Sequence, residues 1–569
     1  MKKQGFLYGS AVLMISAVAV KALGALFKIP LTNMLGGRGM GYFSAAYSIF
    51  MPIYAVSVTG LPAAAAKCTA EAMEKDGEAG AQTVKSIGLR LFGLVGLASF
   101  LVILTAAYPF CKYAVRDMYT FPAAAVIAPS VIAGCLMSVY RGYYEGRRNM
   151  YPTAVSQVVE GTVKLIAGLF FCWGTLFLAR ERPGAFLRLI GCENRHIDPM
   201  EAAVPYSAAA AVLGITLSSF GGLIWIFLYD LRQSRKKSPE TVHMGSTGLS
   251  SGKIHENTCR RKRSEIRSEL LKIALPAAVG ALVVNLTSLI DLVTVMGSLK
   301  AMTEHSPETF EGLVKEGVKL TEIPNFIYGS FTGLAVTLFN LIPSLTNMFG
   351  KSMLPAAAAA KAAGDAKRLG ECSRKGLLAS ALVAFPAGAG LTAMAEPLLR
   401  LLFGGRETEI SVCLASMKVL GLAVPFVCIS QTAFAILQAA DRADIPVKLM
   451  GLGAAVKLVF NLLLTPVPGL GVTGAAAATL VCYIIICVMS LAALRKYGGL
   501  RLGGFMSEAA KIAAGSFFCG AGAAVMYSSV GGGNLNVILS CGFGAAVYFG
   551  IVFITGAFTA DTVKTLLSD

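Results

Sequence analysis

The chain has 569 residues, of which 55% are hydrophobic and only 14% charged, against roughly 25% charged in an ordinary soluble domain. That composition excludes a water-soluble globular protein and places the chain in a bilayer. Its net charge of +18 reads as the signature of basic loops on one side of a membrane rather than as a nucleic-acid-binding surface.

A bilayer is crossed by about 20 consecutive apolar residues. Such runs occur at about 6–29, 40–62, 86–107, 121–140, 153–179, 204–229, 271–297, 325–346, 377–395, 412–437, 447–465, 470–494, 508–528 and 535–558, fourteen in all. At the N-terminus, Lys2, Lys3, an apolar run and Ala17-Val18-Ala19 imitate a cleavable signal. The run continues to Pro30, too long for a signal core, so it is read as an uncut first span. With the N-terminus inside, the cytoplasmic loops receive most of the Lys and Arg, which puts both termini in the cytoplasm.

An ionisable residue at membrane depth is costly and normally faces a cavity or a partner, so the few charges inside the spans are the candidate site. Lys21 and Lys28 stand seven apart on the first span, on one helical face and roughly 10 Å apart along the axis. They form a cationic stripe suited to an anionic headgroup such as a diphosphate. The structural alternative is that Lys28, near Pro30, snorkels to the outer interface while Lys21 pairs with an acid elsewhere. The run Gly37 to Gly41 looks like a phosphate loop but follows no strand; it is read as a short turn between spans.

Leu61-Pro62, four alanines and Lys67 recur as Leu354-Pro355, five alanines and Lys361, at an offset of about 293 residues. Pro152 and Lys164 are echoed by Pro446 and Lys457 at nearly the same offset. The chain is therefore a duplication, and repeated bundles in a polytopic membrane protein point to a transporter with a substrate path between two bundles.

On the fifth span Glu160 lies one turn before Lys164, so either a local ion pair forms or Lys164 meets an anionic ligand. The equivalent Lys457 has only Gly453, Ala454, Phe460 and Asn461 as helical neighbours, and is expected to face water or an anion. Asp291, the acid well inside the seventh span, either neutralises a first-span lysine or binds a coupling cation. Gln157, Asn285, Asn340, Gln431 and Gln438 add uncharged partners for sugars or for neighbouring helices.

Between the sixth and seventh spans, segment 230–270 is polar and basic, densest at Arg260 to Arg263. It reads as a mobile cytoplasmic linker lying on anionic headgroups, or as a docking site. Pro52, Pro62, Pro129, Pro276, Pro343, Pro386 and Pro425 fall within or at the ends of spans, where each removes a backbone hydrogen bond and bends its helix. The 13 cysteines show no disulfide or metal-ligand spacing, and Cys111 and Cys192 are the pair assigned to outer loops. The histidines, His196, His243, His255 and His305, all fall in loops, which leaves none to relay protons within a span.

The block Arg141-Gly142-Tyr143-Tyr144-Glu145-Gly146, with Asn149, Pro152 to Gln157 and Lys164, resembles the signature of the stage V sporulation protein B-like polysaccharide transporters. Lys28-Ile29-Pro30-Leu31, Gly60-Leu61-Pro62, Leu289-Ile290-Asp291 and Leu338-Phe339-Asn340-Leu341 extend the resemblance. That family belongs to the multidrug, oligosaccharidyl-lipid and polysaccharide (MOP) flippase superfamily and is more distantly similar to lipid II flippases.

The resemblance implies an all-α polytopic membrane fold of the MATE-like type, with a six-helix lobe at 1–229, the linker at 230–270, a second lobe at 271–494 and two further helices in 495–569. It implies that Lys21 and Lys28 meet the pyrophosphate of an undecaprenyl-linked sugar in a central cavity; Gln157, Glu160, Lys164, Asp291, Asn340 and Lys457, read from the spans themselves, complete the candidate site. The family favours arginine on the first helix, and lysine is a point charge without the planar fork. Glu145 stands where glutamine is common, and Thr337 where proline is.

The expected activity is alternating-access translocation of undecaprenyl-diphosphate-linked sugars, peptidoglycan precursor first among them, across a bacterial cytoplasmic membrane. Expected partners are that lipid-linked saccharide, membrane lipids and cell-wall synthesis proteins, with no nucleic acid. No cofactor is expected beyond a coupling cation, Na+ or H+, or the membrane potential. The competing expectation is a cation-coupled multidrug exporter. An envelope polymerase or ligase is disfavoured because the longest outer loops, about 180–203 and 298–324, hold no catalytic constellation.

Overall fold

The computed structural model describes residues 6–191, 198–236 and 263–556. Lys2, Lys3, Cys192, His196, His243, His255 and the linker core with Arg260 to Lys262 lie outside the described residues.

Every described element is a helix and no strand occurs among the described residues. Hydrocarbon offers no partner for a backbone N–H or C=O, so a spanning segment must satisfy its hydrogen bonds within itself. The helices run α1 (Phe6–Val58), α2 (Leu61–Lys75), α3 (Gly77–Pro109), α4 (Phe121–Ile127), α5 (Ser130–Gly146), α6 (Tyr151–Glu181), α7 (Pro183–Leu189), α8 (Pro199–Lys236) and α9 (Arg263–His305). They continue as α10 (Glu311–Lys315), α11 (Ile323–Ser330), α12 (Val336–Ala362), α13 (Ala366–Ala393), α14 (Ala395–Phe403) and α15 (Glu407–Ala439). The last four are α16 (Asp444–Leu464), α17 (Gly471–Tyr497), α18 (Leu502–Val530) and α19 (Asn534–Ile554).

Among the described residues, 13 helices are long and apolar enough to cross a membrane. The first holds two of the expected spans, because 53 residues of α1 would reach roughly 80 Å if straight, far beyond the ~30 Å hydrocarbon core. The break is at Gly36, with φ 62° and ψ −174°, a conformation open essentially to glycine alone. Pro62 and Pro152 open α2 and α6 in the first turn, where the missing N–H costs nothing. Pro276, Pro386 and Pro425 lie inside α9, α13 and α15.

By their contacts the residues form two compact units: 1–27, 49–113 and 117–285 in the first, and 28–48, 114–116 and 286–569 in the second. In the first unit α6 packs on α8, and α5 on α2 and α3. A buried aromatic core of Tyr140, Tyr143 and Tyr144 with Met137 and Ile226 joins α5 to α8. In the second unit α15 packs on α12, α13 and α17, around Leu377, Ile429, Ile436, Leu437, Leu494 and Phe505. There α18 and α19 join α13 through Ala381, Ile512, Tyr548 and Val552, with the Tyr548 hydroxyl donating to Leu382 O at 2.9 Å.

Segment 28–48 is held in the second unit by polar contacts. Asn33 Nδ2 donates to Leu402 O at 3.0 Å, Arg406 Nη2 to Asn33 O at 2.6 Å, and Asn325 Nδ2 to Arg38 O at 2.9 Å. Gly37 N–H donates to the buried Glu409 carboxylate at 3.1 Å. The glycine run is thus a break and a close helix contact: a Cβ on Gly329 would fall 1.8 Å from Gly37 O. Cys111, expected in an outer loop, is a buried free thiol in a π-helical turn over Phe110–Val115.

Replacing Gly36 by alanine forces an L side chain into the glycine-only region, at ~1–3 kcal/mol, and sets its Cβ 2.8 Å from Arg406 Nη1. Gly36→Ala is expected to lower the apparent melting temperature of the detergent-purified protein by several degrees. Gly24→Ala, with nothing within 4 Å of the added carbon, is the matched control and should leave it unchanged.

Candidate functional site

The intramembrane charges resolve into separate clusters. Lys21 is exposed and belongs to the first unit, while Lys28, half-buried, belongs to the second. Both lie on the unbroken helical part of α1 before Gly36, so their seven-residue spacing is retained. Lys28 Nζ donates to Thr332 O at 3.3 Å, the carbonyl sitting in a π-helical turn over Phe331–Ala335.

Lys457 departs from its expectation. It does not stand alone: Nζ meets Asp291 Oδ2 at 2.6 Å, with side-chain exposures of 9% and 19%. Asp291 correspondingly takes its lysine from α16 rather than from the first span. Asn461 Nδ2 donates to Asp291 Oδ1 at 2.9 Å and to Thr294 Oγ1 at 3.0 Å, and Ser298 and Thr465 hydroxyls share a hydrogen bond of 2.8 Å. Steps of three and four residues on α9 (Asp291, Thr294, Ser298) therefore face steps of four on α16 (Lys457, Asn461, Thr465), forming a polar seam between two otherwise apolar helices. The neighbours considered from sequence lay on the lysine's own helix; its partner comes from 166 residues away. A cavity of about 10 Å³, lined by Thr287, Gly453, Lys457, Cys482 and Tyr483, adjoins the pair and is of the size of one water molecule.

The repeat-equivalent Lys164 has a different setting. Its Nζ lies 5.0 Å from the centroid of the Phe27 ring, a cation–π distance. Glu160 engages Arg141 rather than serving only its own helix: Arg141 Nη2 meets Glu160 Oε2 at 3.1 Å, and Arg141 Nε donates to Ser156 Oγ at 2.9 Å. Gln157 Oε1 accepts from the Ser16 hydroxyl at 3.4 Å. Asn340 is exposed on α12.

One cluster escaped the sequence reading. Asp230, at 9% exposure, accepts from Lys85 at 2.9 and 3.0 Å and from the Tyr144 hydroxyl at 2.9 Å. Lys85 also sits 4.8 Å from the Tyr143 ring centroid, and Arg147 donates to the Tyr143 hydroxyl at 2.6 Å while pairing with Glu78 at 2.8 Å. The tyrosine pair of the signature block thus ties α3, α5 and α8 together at one end of the bundle. The available signal was a charge of each sign, Lys85 and Asp230, bounding two apolar runs on the same side.

Removing one member of a buried ion pair leaves an uncompensated charge and costs ~3–5 kcal/mol, whereas replacing both with apolar residues is often neutral. Asp291→Asn and Lys457→Met are each expected to lower thermal stability in detergent, and Asp291→Asn combined with Lys457→Met to restore most of it. Additive losses in the double mutant would contradict the pairing.

Residues 6–180 match the family described as Polysaccharide biosynthesis protein, and residues 330–463 match MatE. The chain is 23% identical over 499 residues to Stage V sporulation protein B of Bacillus subtilis (strain 168), covering 87% of this chain and 85% of that one. It is 22% identical over 505 residues to the Lipid II flippase MurJ of the same organism, covering 87% and 83%. A solved Lipid II flippase MurJ in an inward closed conformation superposes with a TM-score of 0.65 at 14% identity, covering 96% of this chain and 98% of that one. The resemblance read from the motifs is borne out by these matches, and the chain is a multi-pass α-helical membrane protein with the fold of the MOP superfamily.

Proposed function

We propose that this protein is a flippase that moves an undecaprenyl-diphosphate-linked saccharide, a lipid II-like peptidoglycan precursor first among the candidates, across the bacterial cytoplasmic membrane by alternating access. The reading is carried by the charge of the intramembrane set. Its acids, Glu160 and Asp291, are each engaged by a basic residue, Arg141 and Lys457, while Lys21, Lys28 and Lys164 give the spans a formal excess of positive charge. A diphosphate is the complementary ligand, and cations inside a membrane are retained where an anion must be met. Similarity to the Lipid II flippase MurJ of Bacillus subtilis along 87% of the chain supports a lipid-linked saccharide in particular. In this reading Lys21 and Lys28 on α1 supply charge to the diphosphate, and no covalent bond is made or broken.

The MatE match at 330–463 favours a second reading, a cation-coupled multidrug exporter. Cationic cargo or a coupling Na+ or H+ calls for an available carboxylate, and the Asp291 carboxylate is already met by the Lys457 ammonium at 2.6 Å. That contact weighs towards the anionic cargo. The positive-inside balance supports both termini in the cytoplasm.

Replacing Lys21 and Lys28 together by glutamine is expected to abolish complementation of a strain that lacks lipid II flippase activity, at unchanged membrane levels of the protein. The double arginine variant should complement, because charge is kept and a bidentate fork is gained. Normal growth with the double glutamine variant would refute the role of these lysines.

A further inference from the structure

A second basic feature lies within the first unit and shares no residue with the proposed substrate site. A groove of about 330 Å³ is lined by Gln82, Thr83, Ser86 and Arg90 of α3 and by Arg263 and Arg267 of α9. On α3 these positions recur at three and four residues, one helical face; Arg263 and Arg267 are one turn apart on α9. All three guanidinium groups are on exposed residues, and none has a carboxylate partner among the described residues. Glu265 stands two residues from each α9 arginine, which turns it about 200° away from Arg263. Three positive forks converging on one concavity, with the Ser86 hydroxyl and the Gln82 amide as further donors, have the chemistry of a phosphate site.

Beyond the arginines the same helices become apolar. Leu94, Leu97 and Leu101 follow Arg90 by one, two and three turns and are 68%, 47% and 50% exposed. Leu271 and Leu275 follow Arg267 by one and two turns, at 44% and 63%. Both helices are long and apolar enough to cross a membrane, and the charge balance assigns the arginine ends to the cytoplasmic side. A polar concavity continued by two aliphatic helix faces matches a molecule with a phosphate head and acyl chains.

We propose that this groove binds a phosphate-bearing anion at the inner membrane surface, with an acidic phospholipid as the source its apolar continuation favours and a soluble phosphate as the other. The head is held by Arg90, Arg263 and Arg267, and the chains lie along the leucines. Basic residues at a membrane surface contribute about 1 kcal/mol each towards acidic lipids, so loss of all three weakens binding by roughly a hundredfold.

The test uses the purified full-length protein in a neutral detergent, titrated separately with short-chain phosphatidylglycerol, short-chain phosphatidylcholine and inorganic phosphate, with bound ligand counted by native mass spectrometry. The variant Arg90→Gln/Arg263→Gln/Arg267→Gln should lose phosphatidylglycerol binding by about a hundredfold. A charge-matched variant elsewhere on the chain, Arg495→Gln/Lys496→Gln/Arg501→Gln, should retain it. Single Arg267→Gln should show a smaller loss in the same direction, which keeps the test valid if the triple variant is poorly folded. Dependence on the three arginines with inorganic phosphate alone would assign the site to a soluble anion. Wild-type binding of both phosphate probes by the groove variants, or an equal loss in the charge-matched control, would overturn the proposal.

Discussion

A charge carried into hydrocarbon must be neutralised where it sits, and the polar architecture of this chain follows from that constraint. The desolvation cost of an isolated ion is several kcal/mol even after relaxation, so each intramembrane charge selects its neighbours. Asp291 draws Lys457 and Asn461 to α9, and Glu160 draws Arg141 to α6. At one end of the first bundle, Asp230 gathers Lys85 and Tyr144 from two other helices. These contacts fix which helices touch and at what rotation, since lipid tails provide no hydrophobic incentive for one apolar helix to prefer another.

The duplication is chemically unequal. Lys164 and Lys457 occupy equivalent positions in the two copies, yet one faces the ring of Phe27 and the other the carboxylate of Asp291. The residues one turn along show the same divergence: Gly168 allows the Phe27 ring to approach, a Cβ there falling 2.6 Å from Phe27 Cε2, whereas the equivalent Asn461 hydrogen-bonds Asp291 and Thr294. A duplicated scaffold has thus kept its lysines and changed what meets them, with an aromatic ring beside Lys164 and a carboxylate beside Lys457.

The fold was legible because hydrocarbon length is a strong ruler. The apolar runs and the repeat anchored at Leu61-Pro62 and Leu354-Pro355 follow from local sequence and reappear as helices, although Leu61 opens α2 whereas Leu354 lies inside α12, and the turn read at Gly37 to Gly41 is helical, with the break one residue earlier at Gly36. The charge partners were not legible. Helical periodicity identifies which residues share a face but not which helix lies opposite, so Asp291 with Lys457, 166 residues apart, and Lys85 with Asp230, 145 apart, gave no local signal. The Tyr143-Tyr144 block was recognised as a signature without its physical role, which is to brace Lys85, Asp230 and Arg147.

The central claim is that an anionic lipid-linked saccharide, not a cationic solute, is the cargo. Its most direct test is transport by the purified protein in liposomes, following inversion of an undecaprenyl-diphosphate-linked disaccharide and, in parallel, uptake of a cationic dye. The account predicts protein-dependent inversion of the lipid-linked saccharide and no dye uptake above empty liposomes. Dye uptake without movement of the saccharide would contradict it.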